Sequence, residues 1–240
     1  MAEISPPGAL IVAHGSPADP LPQEAALAAL AARVAALLPG WRVAGATLAA
    51  EGALAAALAK APQALIYPFF MAEGWFTRST LPRRLGAAAA RQLPAFGSDP
   101  ALPDLMAQVA LEGAQAAGLV PARTTLLIAA HGSQVSRASA TITRAVADDL
   151  AARGLFAAVR VGFVEEAPFL ADAARGLHPA LCLPFFALRA GHVETDVPEA
   201  LAAAGFAGPL LPAIGEHPAV AGLIAAALRR ALAEPGRAPR

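Results

Sequence analysis

This chain holds one cysteine, one lysine and one tyrosine, and aromatic residues make up only 5% of it. A lone cysteine, Cys182, can form neither an internal disulfide nor a thiolate cluster, which excludes a disulfide scaffold and a cysteine-rich zinc site. It lies in an apolar run and reads as a small buried side chain. Excess charge is missing too: 18 basic against 18 acidic residues give a formal net charge of +0. Without a global basic field, neither nucleic acid nor an anionic membrane is an expected partner. Hydrophobic residues reach 57% and mean hydropathy is +0.53, but alanine inflates both. No uninterrupted apolar run approaches the ~18 residues of a spanning helix. The most apolar stretch, 48–70, is broken by Glu51, Lys60, Pro62 and Gln63. The segment 1–8 has an acidic residue and two prolines where a signal sequence would be basic and then apolar, so a cytoplasmic location is expected.

What is present is a repeat. The phrase Ala9–Ser16 ends in Ala13, His14, Gly15, Ser16, and Thr125–Ser133 ends in Ala130, His131, Gly132, Ser133. Pro68, Phe69, Phe70 return as Pro184, Phe185, Phe186, and the run 93–97 returns as 211–215. The three offsets are 117, 116 and 118 residues, in order along the chain. Such near-constant spacing reads as a duplicated domain, with boundaries at 1–119 and 120–240. At 240 residues each copy would have about 120, enough for its own core.

Each copy alternates short apolar runs with alanine- and leucine-rich helix formers. In the first, strands are expected at 9–13, 41–46, 64–70 and 93–96, with helices at 21–38, 52–60, 83–92 and from Asp99 and Pro100 onward. In the second, strands fall at 125–130, 158–164, 180–185 and 210–213. Helices fall at 138–153, from Pro168, at 198–204 and at 218–232. The order implies an α/β fold: two similar three-layer domains, each with a mainly four-stranded parallel sheet and right-handed crossovers.

In open parallel sheets the ligand crevice lies outside the carboxyl ends of the strands. Three titratable residues of the second copy belong there: His131 after the first strand, Glu165 after the second and His192 after the third. Two imidazoles and a carboxylate suit a first-row divalent ion and also exchange protons near neutral pH. A structural zinc site would close with four ligands, usually including cysteine. A hydrolase would need a nucleophile elbow, and no G-x-S-x-G occurs. Glu166 reads as a solvated neighbour of Glu165, His178 as exposed, and His217 as a cap on the last helix.

The phrases A-H-G-S at 130–133, G-F-V-E at 162–165 and L-P-F-F…G-H-V-E-T-D-V-P at 183–198 resemble the class II tetrapyrrole chelatases, specifically the CbiX/SirB sirohydrochlorin chelatase family. The resemblance spans nearly the whole chain as two tandem copies of a chelatase-like (flavodoxin-like) fold. It implies a lyase that inserts Co²⁺ or Fe²⁺ into sirohydrochlorin without ATP, for cobalamin or sirohaem. No tightly bound cofactor is implied, the divalent metal being a substrate. Carried over by motif, His131, Glu165 and His192 would be both the metal ligands and the catalytic groups, with the histidines accepting pyrrole protons. Contacts to the tetrapyrrole would come from His14, Ser133, Arg137, Phe186, Arg189 and Trp75. Arginine suits that role because its paired N–H donors match carboxylates.

The first copy keeps His14 but has Trp75 where His192 has its counterpart, and no glutamate aligned with Glu165. The live site is therefore expected in the second copy, whereas two-copy relatives often keep it in the first. Gln134 stands where the family commonly has arginine. Two other readings remain open: a non-catalytic carrier of a tetrapyrrole or metal, and a phosphatase with a histidine nucleophile. Two fused copies can replace a symmetric dimer, which is compatible with a monomer.

Overall fold

The computed structural model describes residues 6–86, 91–189 and 192–234, and leaves the side chains of His192 and Val193 undescribed. In chain order the elements are β1 (Gly8–Ala13), α1 (Leu21–Leu37), β2 (Arg42–Thr47), α2 (Ala53–Lys60), β3 (Leu65–Pro68), α3 (Leu81–Leu85) and α4 (Leu102–Ala116). They continue with β4 (Thr125–Ala130), α5 (Ala138–Ala152), β5 (Ala158–Phe163), α6 (Leu170–Ala174), β6 (Ala180–Pro184), α7 (Val197–Ala203) and α8 (Val220–Ala233).

Two parallel sheets result, ordered β2-β1-β3 and β5-β4-β6. The central strands are apolar because both faces are covered: Ala9 through Ala13 and Leu126 through Ala130 are all buried. Helices bury one stripe each. In α1 the stripe is Leu27, Leu30, Ala31 and Val34, at the spacing of a single helical face. The second core gathers Leu127, Ala129, Leu170, Cys182, Phe186, Val197 and Leu201. Cys182 is fully buried, and burial pushes its thiol up to about 12.

The expected fourth strand is reduced to one bridging residue in each sheet, Gln92 beside Ile66 and Leu210 beside Cys182. Hydrogen bonding explains why. Ile66 donates to the Arg91 carbonyl and accepts from Leu93 N–H; Cys182 does the same with Pro209 and Leu211. The next residue due to donate is Pro68 or Pro184, and proline has no N–H. In the first copy the Ala95 N–H turns instead to the Glu73 carboxylate at 2.6 Å.

The linear division at 119/120 is also not the spatial one. The compact units are 1–99 with 218–240, and 100–217. Helix α4 therefore packs with β6 and α5 of the second sheet, while α8 packs with β3 and α1 of the first. Each last helix follows a turn ending in Pro100 or Pro218, and periodicity within a helix does not encode which sheet receives its apolar face. Asp99, just ahead of α4, accepts the Tyr67 hydroxyl at 3.3 Å and pairs with Arg230 at 3.4 Å. His217, just ahead of α8, stands 3.8 Å from Glu112.

Candidate active site

Strand β4 runs straight into His131, and the next residue, Gly132, takes a left-handed φ of +72°. Only glycine fits there: an added Cβ would lie 2.8 Å from Glu166 Cγ and 2.9 Å from Phe163 Cβ. The His131 carbonyl accepts the Glu165 N–H at 2.9 Å, which fastens the ends of β4 and β5 together. The two side chains then converge, with His131 Nδ1 3.7 Å from Glu165 Oε2, both partly open to solvent at 38% and 43% exposure. His131 Nδ1 also lies 2.9 Å from the Gly132 carbonyl oxygen. A carbonyl can only accept, so this contact calls for a proton on Nδ1, and in a neutral ring the lone pair is then on Nε2.

His192 opens a π-helical turn, His192–Asp196, that continues into α7. Its side chain lies outside the described residues, so its expected meeting with His131 and Glu165 is not described either. The loops expected around 189–196 and 71–82 are shorter than the sequence implied, because π-helical turns occupy His192–Asp196 and Phe76–Thr80. Single π-helical turns concentrate at functional sites.

The first unit preserves the same frame with different side chains. The Ala49 N–H donates to the His14 carbonyl as Glu165 does to His131, so Ala49 occupies the position of Glu165. Phe76 opens its π-helical turn as His192 opens the other. The counterpart of His192 is therefore Phe76, which corrects the assignment to Trp75. Pairing Gly191 with Gly74 would lead to Trp75, whereas the ungapped register from Pro184 to Pro198 leads to Phe76. The Phe76 ring meets the His14 ring edge to face, with centroids 4.2 Å apart. Trp75 is 67% exposed and has the Arg83 guanidinium 5.4 Å from its ring.

The remaining expected contacts divide between surface and scaffold. Ser133 is a turn former: its hydroxyl accepts the N–H groups of Val135 and Ser136 at 3.2 and 3.1 Å. Arg137 is exposed at the start of α5. Arg189 pairs through Nε with Glu216 at 3.1 Å. Phe186 is 8% exposed and belongs to the core beneath the strand ends. His178 is exposed, as expected.

Glu166 differs from its expectation as a solvated residue. Its Oε1 accepts the Ser133 N–H at 2.8 Å and so holds the loop that carries His131. The sequence offered one signal for this, a second carboxylate directly after the strand-end glutamate. Among the described residues, no group of three His, Cys, Asp or Glu side chains is gathered closely enough to hold an ion. His131 and Glu165 are the two members of the expected trio whose side chains are described.

The duplicated parallel α/β fold is similar to that of chelatase-type proteins. A CbiX family profile matches residues 125–231. Among solved structures, CbiX, described as the terminal enzyme for siroheme biosynthesis in denitrifying bacteria, is 53% identical with a TM-score of 0.86. The match covers 93% of this chain and 99% of that one. The chain belongs to the CbiX family. DR2241 of Deinococcus radiodurans, a multi-domain protein with structural similarity to chelatases, is 25% identical at a TM-score of 0.74. That match covers 96% of this chain and 56% of DR2241. Bacillus subtilis SirB, solved with Fe³⁺, shares the fold at a TM-score of 0.69 and 18% identity, over 94% of this chain and 95% of SirB. No curated protein matches by sequence.

Proposed function

We propose that this chain is an ATP-independent chelatase that inserts a divalent metal, Co²⁺ or Fe²⁺, into sirohydrochlorin, at a site formed by His131, Glu165 and His192. The observation that carries this reading is the approach of His131 to Glu165 at the strand ends, 3.7 Å apart and open to solvent. The first copy supports the third member. Phe76 opens the first π-helical turn, and its ring reaches His14; a residue at that place is within range of the strand-end histidine. His192 opens the second turn. Membership of the CbiX family, with a 53% identical relative that completes siroheme, supports the substrate class.

The chemistry is an exchange. One M²⁺ enters the macrocycle, four ring nitrogens bind it, and two pyrrole N–H protons leave. Such a reaction needs a donor set that holds the ion weakly enough to release it, and bases beside it. A half-exposed imidazole and carboxylate meet the first need better than a closed four-ligand site would. The same groups meet the second, with Glu165 and an imidazole taking the protons as the metal is handed over. Arg137 and Arg189 face the substrate's carboxylates, although Arg189 must share its guanidinium with Glu216. Among the described residues no helix is long and apolar enough to cross a membrane.

The test is metallation of sirohydrochlorin by Co²⁺ followed by absorbance. The purified chain should exceed the spontaneous rate, and His131→Ala or Glu165→Gln should lose about 10²-fold or more. Tight tetrapyrrole binding with no rate above background would make the protein a carrier. Turnover of a phosphate ester would make it a phosphatase.

A further inference from the structure

One peptide unit joins Glu166 to His131. The Gly132 carbonyl faces His131 Nδ1 at 2.9 Å, and the N–H of the same peptide, on Ser133, donates to Glu166 Oε1 at 2.8 Å. A peptide is planar, so fixing its N–H fixes the direction of its carbonyl. We propose that Glu166 is a positioning residue for the proposed chelatase reaction: through the Gly132–Ser133 peptide it sets the ring orientation and the Nδ1–H tautomer of His131, and so aims Nε2 at the incoming metal. The inference rests on the chelatase reading for its function, and on geometry alone for the relay.

Three features carry it. The left-handed Gly132 would place a Cβ 2.8 Å from Glu166 Cγ and 3.0 Å from Oε1, so the carboxylate packs directly against the turn it holds. Glu165 and Glu166 divide the work, Glu165 facing the His131 ring and Glu166 the peptide behind it. The first copy lacks both: Ala49 and Ala50 stand in their places, and His14 keeps its own contact to the Gly15 carbonyl at 2.6 Å. The copy without a carboxylate beside the histidine is also the copy without one behind it. Groups that orient a histidine ligand through its second nitrogen are worth about 10- to 100-fold in metal affinity or activity.

Three substitutions in the full chain separate this role from the others. In Glu166→Gln the amide oxygen still accepts the Ser133 N–H, so the KM for Co²⁺ should stay within about threefold of the parent. In Glu166→Ala it should rise roughly tenfold or more, with the KM for sirohydrochlorin unchanged. Glu166→Asp keeps the charge but is one methylene short, and should behave as the alanine variant does. Nitrogen chemical shifts of His131, read without metal or substrate, give the same test directly: Nδ1–H in the parent and the glutamine variant, mixed tautomers in the other two. A glutamine variant as impaired as the alanine variant would overturn the proposal, because Glu166 would then act through its charge. Parent-like behaviour of Glu166→Ala, in both KM and shifts, would overturn it as well. If the alanine variant does not fold, the Gln and Asp variants decide. A chain that never metallates sirohydrochlorin but shows the expected shifts fails as a chelatase while keeping the relay.

Discussion

Replacing Gly132 by alanine probes the turn beneath His131, and Gly154 supplies the control. Both glycines have left-handed backbones, with φ of +72° and +64°. That conformation costs an alanine about 1–2 kcal/mol at either position. Their surroundings differ. At Gly154 nothing lies within 4 Å of an added Cβ, whereas at Gly132 it would meet Glu166 Cγ at 2.8 Å, Phe163 Cβ at 2.9 Å and Glu166 Oε1 at 3.0 Å. Crowding of this kind in a packed setting costs a further ~1–3 kcal/mol. Gly154→Ala should therefore lose about 1–2 kcal/mol and Gly132→Ala about 2–5. Thermal unfolding by circular dichroism reads the difference, at roughly 4 °C per kcal/mol for a unit of this size. Only Gly132→Ala should also lose metallation activity, since relief of the clash moves Glu166 and the peptide behind His131. Equal melting losses with full activity in both variants would refute the packing of Glu166 against the turn.

Cys182 gives a pH prediction. Its folded thiol stays protonated up to about 12 because it is buried, whereas an unfolded thiol ionises near ~8.5. Between those values the unfolded chain binds fewer protons, so stability falls as pH rises, by up to ~1.4 kcal/mol per pH unit. Urea midpoints at pH 8.5, 9 and 9.5 should fall, and Cys182→Ala should flatten the trend; equal slopes in both would contradict it. In the first unit, Ala49→Glu with Phe76→His places glutamate and histidine at the two positions equivalent to Glu165 and His192, beside His14. Calorimetric Co²⁺ titration should then show about one extra site, and unchanged stoichiometry would break the equivalence of the two copies.

Much of this was legible in the sequence because it depends on local pattern. Strand β4 occupies 125–130, as its apolar run and the following His-Gly imply, and the repeat alone placed histidines at both central strand ends. The fourth strands were over-read because apolar pattern does not reveal a missing donor on the neighbouring strand, here Pro68 and Pro184. The exchange of α4 and α8 was invisible for a related reason: a helical stripe records that it is buried, not by what. Trp75 lies one residue before Phe76, and it is the π-helical turn that fixes the register. Glu166 was missed since its partner is a backbone N–H, which no side-chain motif announces.

The most direct measurement is anomalous diffraction from crystals of this chain soaked with Co²⁺. The proposed site predicts one strong peak about 2.1 Å from His131 Nε2, bonded also to Glu165 and to an imidazole nitrogen of His192. A peak that misses His131, or an ion held at His14 while His131 stays bare, would contradict it.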